Sequence, residues 1–299
     1  MTSESGAEHV PAEIALTVVV PVFNGADTMR AQLDALVAQR WDRAWEVLVV
    51  DNDSTDETPT IIEEYVDRHE RFRTTRAPGQ HNLAYVRNVA VADARGRSVA
   101  FCDDDDEVGD GWVGAIGTAL DDHRVVASCM EYELLSDPDS LEGRGDFQSR
   151  GVERLFGYPI VNGASGWRRD LWLSLGGNDE ALDFAGEDHD MALRAHLAEG
   201  VEPFFCKEAV YHCRRRSGFA ATFRQAQRYG RSQALLYRRY GQSRPDVRLT
   251  LPAALARWWW LATHVLALRD RSHRTLWAWR AGLRVGRLSG SFRQRVRYL

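Results

Sequence analysis

The feature that most limits how this chain can fold is a recurring run of β-branched and apolar residues that stops on polar ones. Leu16-Thr-Val-Val-Val-Pro-Val-Phe ends at Asn24-Gly25, Trp45 to Val50 ends in Asp51-Asn52-Asp53-Ser54-Thr55-Asp56, and Ser98 to Cys102 ends in Asp103-Asp104-Asp105-Asp106-Glu107. Short, continuously apolar runs are the pattern of strands buried on both faces of a parallel sheet. Between them, Met29, Leu33, Leu36 and Val37 have helical spacing within 26–39, and Thr58-Pro59 opens a helix running towards His69. A short strand over 72–75, a Pro78-Gly79 turn and a helix over 82–94 follow. This alternation predicts an α/β fold with a parallel, doubly wound sheet and right-handed crossovers. Ligands of such sheets bind beyond the carboxyl ends of the strands.

Packing does not explain five consecutive acids, because like charges this close repel and raise one another's pKa. Either the run is a solvated acidic loop, or a hard divalent cation, Mg²⁺ or Mn²⁺, is taken by its carboxylate oxygens. Two strand ends carry acids, at Asp51 and at Asp103 to Asp106, and both fall at the ligand-binding edge, which favours the cation. A dinucleotide fold needs G-x-G-x-x-G after the first strand, but the turn here is Pro21-Val22-Phe23-Asn24-Gly25. The P-loop, H-E-x-x-H and G-x-S-x-G patterns are absent from the sequence.

With 299 residues, 44% hydrophobic and 27% charged, the chain can bury one large α/β domain plus additions, or two small domains. Cys102, Cys129, Cys206 and Cys213 form no C-x-x-C pair, so neither a disulfide framework nor a zinc site is expected, and a reducing cytoplasm is the natural compartment. Residues 1–13 are expected to be disordered, and the polar, acidic start to Ala15 lacks the basic and apolar regions of a secretory signal. The net charge of -5 conceals an asymmetry. Residues 207–299 hold 21 Lys and Arg against three acids (Glu208, Asp246, Asp270), so the first 206 residues are strongly acidic. That split suggests an acidic catalytic body and a basic tail facing something anionic.

The second half is less regular. One or two strands are expected over 125–135, a Gly/Asp/Ser-rich loop over 136–150, and a small-residue stretch from Val161 to Trp167. Glu187 to Glu199 reads as a helix whose first turn, Glu187-Asp188-His189-Asp190, is acidic where the helix dipole favours acids. Gly218 to Tyr240 reads as an arginine-rich helix. Leu249 to Leu268, with Trp258-Trp259-Trp260, is long enough to span a bilayer. However, Arg257, His264 and Arg271 recur every seven residues and Pro252 sits at the start, so a helix lying in the interface of an anionic membrane fits better. Arg280, Arg284 and Arg287 form a further stripe opposite Trp277, Trp279 and Leu283. The alternatives are packing on the body or on a homodimer partner. No nucleic-acid partner is expected, since no DNA- or RNA-reading motif accompanies the charge.

Five segments (Leu16 to Asn24, Val49 to Thr58, Val86-Arg87-Asn88, Phe101 to Asp106, and Gly186 to Arg194) resemble, in order and spacing, the family 2 glycosyltransferases of GT-A fold. The likeness covers about residues 14–216. It implies a GT-A (Rossmann-like), mostly parallel mixed sheet flanked by helices over 14–216, with a basic helical extension over 217–299. It also implies an inverting transfer of sugar from a UDP, GDP or dTDP donor to an acceptor hydroxyl, on a lipid-linked or polysaccharide acceptor of the cell envelope. The enzyme would work at the inner face of the cytoplasmic membrane. By the resemblance, Asp51 contacts the base or ribose, with Pro21, Val22, Phe23 and Asn24 beside it. Asn52-Asp53 departs from the family's usual Asp-Gly, which leaves the nucleotide open. Asp53, Arg87 and Asp104 are placed with the nucleotide-sugar. Asp103 and Asp105 match the D-x-D pair that holds Mn²⁺ or Mg²⁺, with Asp105 the direct ligand. Asp188 matches the catalytic base, and Glu187 would orient a sugar or acceptor hydroxyl. His212 either completes the metal or diphosphate site or is a hydrogen-bonded structural histidine; Trp167 either stacks on a sugar or belongs to the core. Asp106 and Glu107, and Asp104 if it does not touch the nucleotide-sugar, would support these groups or face solvent. The chemistry agrees: the departing diphosphate needs its charge neutralised, the attacking hydroxyl needs one base, and a single displacement needs no protein nucleophile. The alternatives are a catalytically inert nucleotide-sugar or glycan-binding protein of the same fold, and a nucleotidyltransferase, whose basic Gly-rich loop is missing.

Overall fold

The computed structural model describes residues 13–141, 145–182, 185–242 and 251–298. The disorder expected over 1–13 (residue 13 apart) and the first two residues of the 249–268 run fall outside them. Strands β1 (Leu16–Val22), β2 (Trp45–Asp51), β3 (Phe72–Arg76) and β4 (Ser98–Phe101) are parallel, with β1 paired to both β2 and β4. Every residue of β1, β2 and β4 is buried, while the outermost strand β3 alternates, so the apolar runs report two-sided burial. Helices α1 (Met29–Ala38), α2 (Thr58–Arg68) and α3 (Leu83–Asp93) make the crossovers. Pro59 sits in the first turn of α2, where its missing N–H breaks no helical bond. Asn82 caps α3, its Oδ1 accepting from the Ala84 and Tyr85 N–H groups.

Past β4 come β5 (Glu107–Val108), α4 (Trp112–Asp122), β6 (Val125–Glu131), α5 (Pro138–Leu141), β7 (Glu153–Leu155), β8 (Tyr158–Ile160), β9 (Ser165–Arg168), α6 (Arg169–Ser174), α7 (Glu187–Glu199) and β10 (Phe204–His212). The eight-stranded sheet runs β3-β2-β1-β4-β9-β6-β10-β5, and β7-β8 is a separate hairpin. The sheet is not wholly parallel: β9 is antiparallel between β4 and β6, and β5 is antiparallel to β10. The 125–135 stretch makes one strand, because the Glu131 carboxylate accepts the Glu133 and Leu134 N–H groups and turns the chain. One core lies under α1, α2 and α4, and a second under α3, α6 and α7. Each fully buried Val, Leu or Ile there contributes about 1.5–3 kcal/mol.

The extension comprises α8 (Phe219–Leu236), a π-helical turn (Tyr237–Gly241), α9 (Leu251–Thr263), a 3-10 turn (Val265–Arg269) and α10 (Arg271–Gln294). Helices α8 and α10 run in parallel with their backbones in contact. A Cβ on Gly282 would lie 2.4 Å from the Phe223 carbonyl oxygen, and one on Gly286 2.2 Å from that of Gln227. Arg287 therefore turns into this bundle, donating from Nε to Gln233 Oε1 at 2.9 Å, instead of lining an outward basic stripe. Ala234, Leu236, Tyr237 and Tyr298 share a third core with Phe156, Ile160, Leu182 and Leu193, so the extension is seated on the body. Among the described residues, no helix is long and apolar enough to cross a membrane.

Candidate active site

The parallel register sets Val22 opposite Asp51 and Val19 opposite Phe101, so three loops open at one sheet edge. The first two loops are tied together: the Asn24 N–H donates to Ser54 Oγ at 2.9 Å, the Thr55 N–H to Asn24 Oδ1 at 2.8 Å, and the Gly25 N–H to Thr58 Oγ1 at 2.9 Å. Pro21 and Val22, expected beside the nucleotide, have their side chains buried in the sheet, leaving Phe23 and Asn24 as the exposed part of that turn. Phe23 rests on the His81 ring, with centroids 4.3 Å apart. Asp51 is buried, and its Oδ1 accepts the Ser54 N–H at 3.0 Å. The Asp53 carboxylate is taken by the Gly79 N–H at 2.9 Å and Arg76 Nη2 at 3.2 Å, so it holds the 76–79 turn. Asn52 braces the same turn, donating from Nδ2 to the carbonyls of Ala77 and Gln80.

The acid run is anchored at its start and its end. Buried Gln32 on α1 donates to the Asp103 carbonyl at 3.0 Å and accepts the Val108 N–H at 2.9 Å. The Asp103 N–H donates to Tyr211 Oη at 2.8 Å, and the Arg214 N–H to Asp106 Oδ1 at 2.6 Å. Burial and then mutual repulsion push Asp104 up to about 7 and Asp106 to about 8, and raise Asp105 as well. Asp106 is therefore buried rather than solvated.

Arg87 on α3 links this run to α7. It is 2% exposed, donates to Glu187 Oε1 at 2.8 Å and to Asp103 Oδ1 at 3.4 Å, and lies over the Phe101 ring. Arg87 thus sits beneath the expected nucleotide site with its charge met by two carboxylates, and Glu187 faces Arg87 rather than a sugar or acceptor hydroxyl. Asp188, next in the helix, remains partly accessible; its Oδ1 accepts the His189 N–H at 2.7 Å. Burial raises Asp188 to about 6, against the opposing pull of the Arg87 charge.

Trp167 does not stack on a ligand: it is 1% exposed, packs edge-on against Trp172 and donates its indole N–H to Ser165 Oγ. His212 donates from Nδ1 to the Glu131 carboxylate at 2.7 Å, the kind of second contact that orients an imidazole. Among the described residues, no three His, Cys, Asp or Glu side chains are gathered closely enough to hold an ion by themselves. The chemistry still fits a hard cation. Carboxylates gathered at a strand end are the oxygen donors that Mg²⁺ or Mn²⁺ takes together with substrate phosphates and water. Tyr229 on α8 was not foreseen. Its ring packs edge-on against Trp279, and burial and then the nearby Asp188 charge raise its hydroxyl above the ordinary tyrosine value. The only trace of it in the sequence is an aromatic in an arginine-rich helix.

A sheet of this order, with acids at its carboxyl edge and an acidic helix start beside them, defines the GT-A class of sugar-nucleotide fold. The sequence profile described as "Glycosyl transferase family 2" matches residues 17–167, and the chain belongs to that family. The uncharacterized glycosyltransferase YibD of Escherichia coli is 31% identical over 54% of this chain and 43% of its own length. The UDP-Glc:alpha-D-GlcNAc-diphosphoundecaprenol beta-1,3-glucosyltransferase WfgD of Escherichia coli is 34% identical over 30% and 35% respectively. Each match spans less than half of the curated relative. The mannosyltransferase PcManGT of Pyrobaculum calidifontis, solved in complex with GDP-Man and Mn²⁺, superposes with a TM-score of 0.63 at 20% identity, covering 95% of this chain and 91% of that one. That likeness establishes the fold.

Proposed function

We propose that the chain is a divalent-metal-dependent, inverting glycosyltransferase with Asp188 as its general base. The observation that carries this reading is the Arg87 bridge, which makes the acid run and the start of α7 one unit. Phe23, Asn24 and Asp51 would receive the base and ribose, and Asp103 and Asp105 would hold Mn²⁺ or Mg²⁺, with His212 available beside them. Bound there, the ion would neutralise charge on the departing diphosphate. Asp188, ionised above about pH 6, would take the proton from the acceptor hydroxyl as its oxygen attacks the anomeric carbon opposite the diphosphate. One displacement inverts the configuration and releases the nucleoside diphosphate. Glu187 serves by neutralising Arg87 and fixing the helix start.

The relatives' names speak for a UDP or GDP donor, and that of WfgD for a lipid-linked acceptor. The extension supports work at an anionic membrane surface, on the cytoplasmic side. Helix α9 packs inward through Ala254 and Leu261, while its Leu255, Trp258 and Trp259 are exposed, as is Leu266 in the turn that follows. Asp270 is the one acid between residues 251 and 298, against ten arginines. Incubation with UDP- and GDP-sugars, with and without Mn²⁺, tests the core reading. Divalent-dependent release of UDP or GDP is expected, whereas binding with no release from any donor would leave the inert binding protein as the better account.

A further inference from the structure

A buried carboxylate of α7 has its partners in the extension. Asp190 is fully buried two residues after Asp188, and three side chains converge on it. Arg194 Nε donates to its Oδ2 at 2.7 Å; Arg239 Nη1 and Tyr240 Oη donate to its Oδ1 at 2.9 and 2.7 Å. Arg239 also pairs with Asp179 at 2.5 Å, and Arg194 donates to the carbonyls of Leu175 and Gly177. Arg239 and Tyr240 lie in the π-helical turn that continues α8, a rare form found frequently at functional sites. Upstream on α8, Ser232 presses on the cap of α7. Gly186 has φ +86°, and a Cβ there would lie 2.2 Å from Ser232 Oγ.

We propose that Arg239 and Tyr240 are positioning residues for the transfer reaction: through Asp190 they set where the first turn of α7, and with it Asp188, stands. The start of α7 is then held from two sides, by Arg87 through Glu187 and by the extension through Asp190. Neither Arg239 nor Tyr240 need touch substrate. The basic extension is thereby part of the catalytic assembly as well as a candidate membrane contact. Charge supports the assignment, since a fully buried carboxylate stripped of two of three donors would be forced to move, protonate or admit water.

The inference rests on Asp188 as the base, so the test reads position and catalysis separately. Tyr240→Phe, Arg239→Gln and Arg239→Lys, each in the whole chain, are compared with the parent and with Asp188→Asn, using Mn²⁺ with UDP-Glc and GDP-Man. Hydrogen exchange of the 186–194 amides reports position, and nucleoside diphosphate release reports turnover. In Tyr240→Phe, at least tenfold faster exchange in that turn is expected, with kcat down at least tenfold, donor KM unchanged and the melting temperature within a few degrees. Arg239→Lys, which keeps the charge, should restore much of what Arg239→Gln loses. Unchanged exchange and kcat in Tyr240→Phe and Arg239→Gln would overturn the positioning role while leaving the base intact. Full turnover in Asp188→Asn with altered exchange in Tyr240→Phe would instead remove the base assignment and keep the clamp.

Discussion

At the scale of single residues, Arg87 and Asp106 decide most. A 2%-exposed guanidinium between Glu187 and Asp103 is stable only while both carboxylates face it. Arg87→Met should cost about 3–5 kcal/mol, because it leaves buried charge uncompensated. Urea unfolding reads this, and the double change with Glu187→Met should recover part of the loss; a cost below about 1 kcal/mol would show the bridge to be incidental. The raised carboxyls give a pH dependence of defined sign. A carboxyl whose pKa is higher folded than unfolded binds its proton more tightly in the folded chain. The penalty of ionising it is therefore absent below the ordinary carboxylate range and grows as pH rises towards the folded value. For Asp106 that value is about 8, set by burial and then by Asp103 and Asp105. Asp106→Asn keeps an oxygen for the Arg214 N–H. It should raise the melting temperature by a few degrees at pH 8, by less at pH 5, and change it little below about pH 4. Mn²⁺ should narrow the difference at pH 8, since a cation favours the ionised parent. Destabilisation at pH 8 would contradict the buried-charge account.

At the scale of elements, the seam between α8 and α10 is the most sensitive to added volume. Gly286→Val should destabilise by about 1–3 kcal/mol, because the methyls meet the Gln227 backbone rather than a movable side chain. It should also loosen the turn that carries Arg239 and Tyr240; thermal melts and turnover together read both effects. The first four strands and three helices were legible because each strand is buried on two faces and each helix has a regular apolar stripe. The later elements were not. Helix α4 follows the acid run so closely that its apolar spacing was masked, and β9 is four residues, Ser-Gly-Trp-Arg, with no strand pattern of its own. Strand β5 is only two residues long, and its pairing with β10 is non-local. The four-residue repeat of small side chains, Thr222-Ala226-Gly230-Ala234 against Gly282-Gly286-Gly290, was present in the sequence but obscured by its arginines. In the site, Asp51, Asp103 to Asp105 and Asp188 were visible as acids at element ends. Gln32 and Tyr211 act through contacts between elements distant in the chain, and no local pattern announces those; Asp190 was visible as an acid at the helix start, but its partners Arg239 and Tyr240 were not.

At the scale of the whole molecule, an acidic sheet edge and a basic helical extension divide the charge, and the extension joins the two by seating on α7. The outer face of α9 should bind vesicles containing phosphatidylglycerol. Trp258→Ser with Trp259→Ser should reduce that binding several-fold and leave turnover on a soluble acceptor unchanged. Binding unaffected by both changes would assign this face to a protein contact. Asp188 as the general base is tested by one paired measurement: donor binding and nucleoside diphosphate release by Asp188→Asn, with Mn²⁺, at pH 7.5. Donor binding is expected within a factor of about two of the parent, with release reduced at least about 100-fold. In the parent, the rate should fall below about pH 6 as Asp188 takes up its proton. Release by Asp188→Asn at the parental rate would contradict the base assignment.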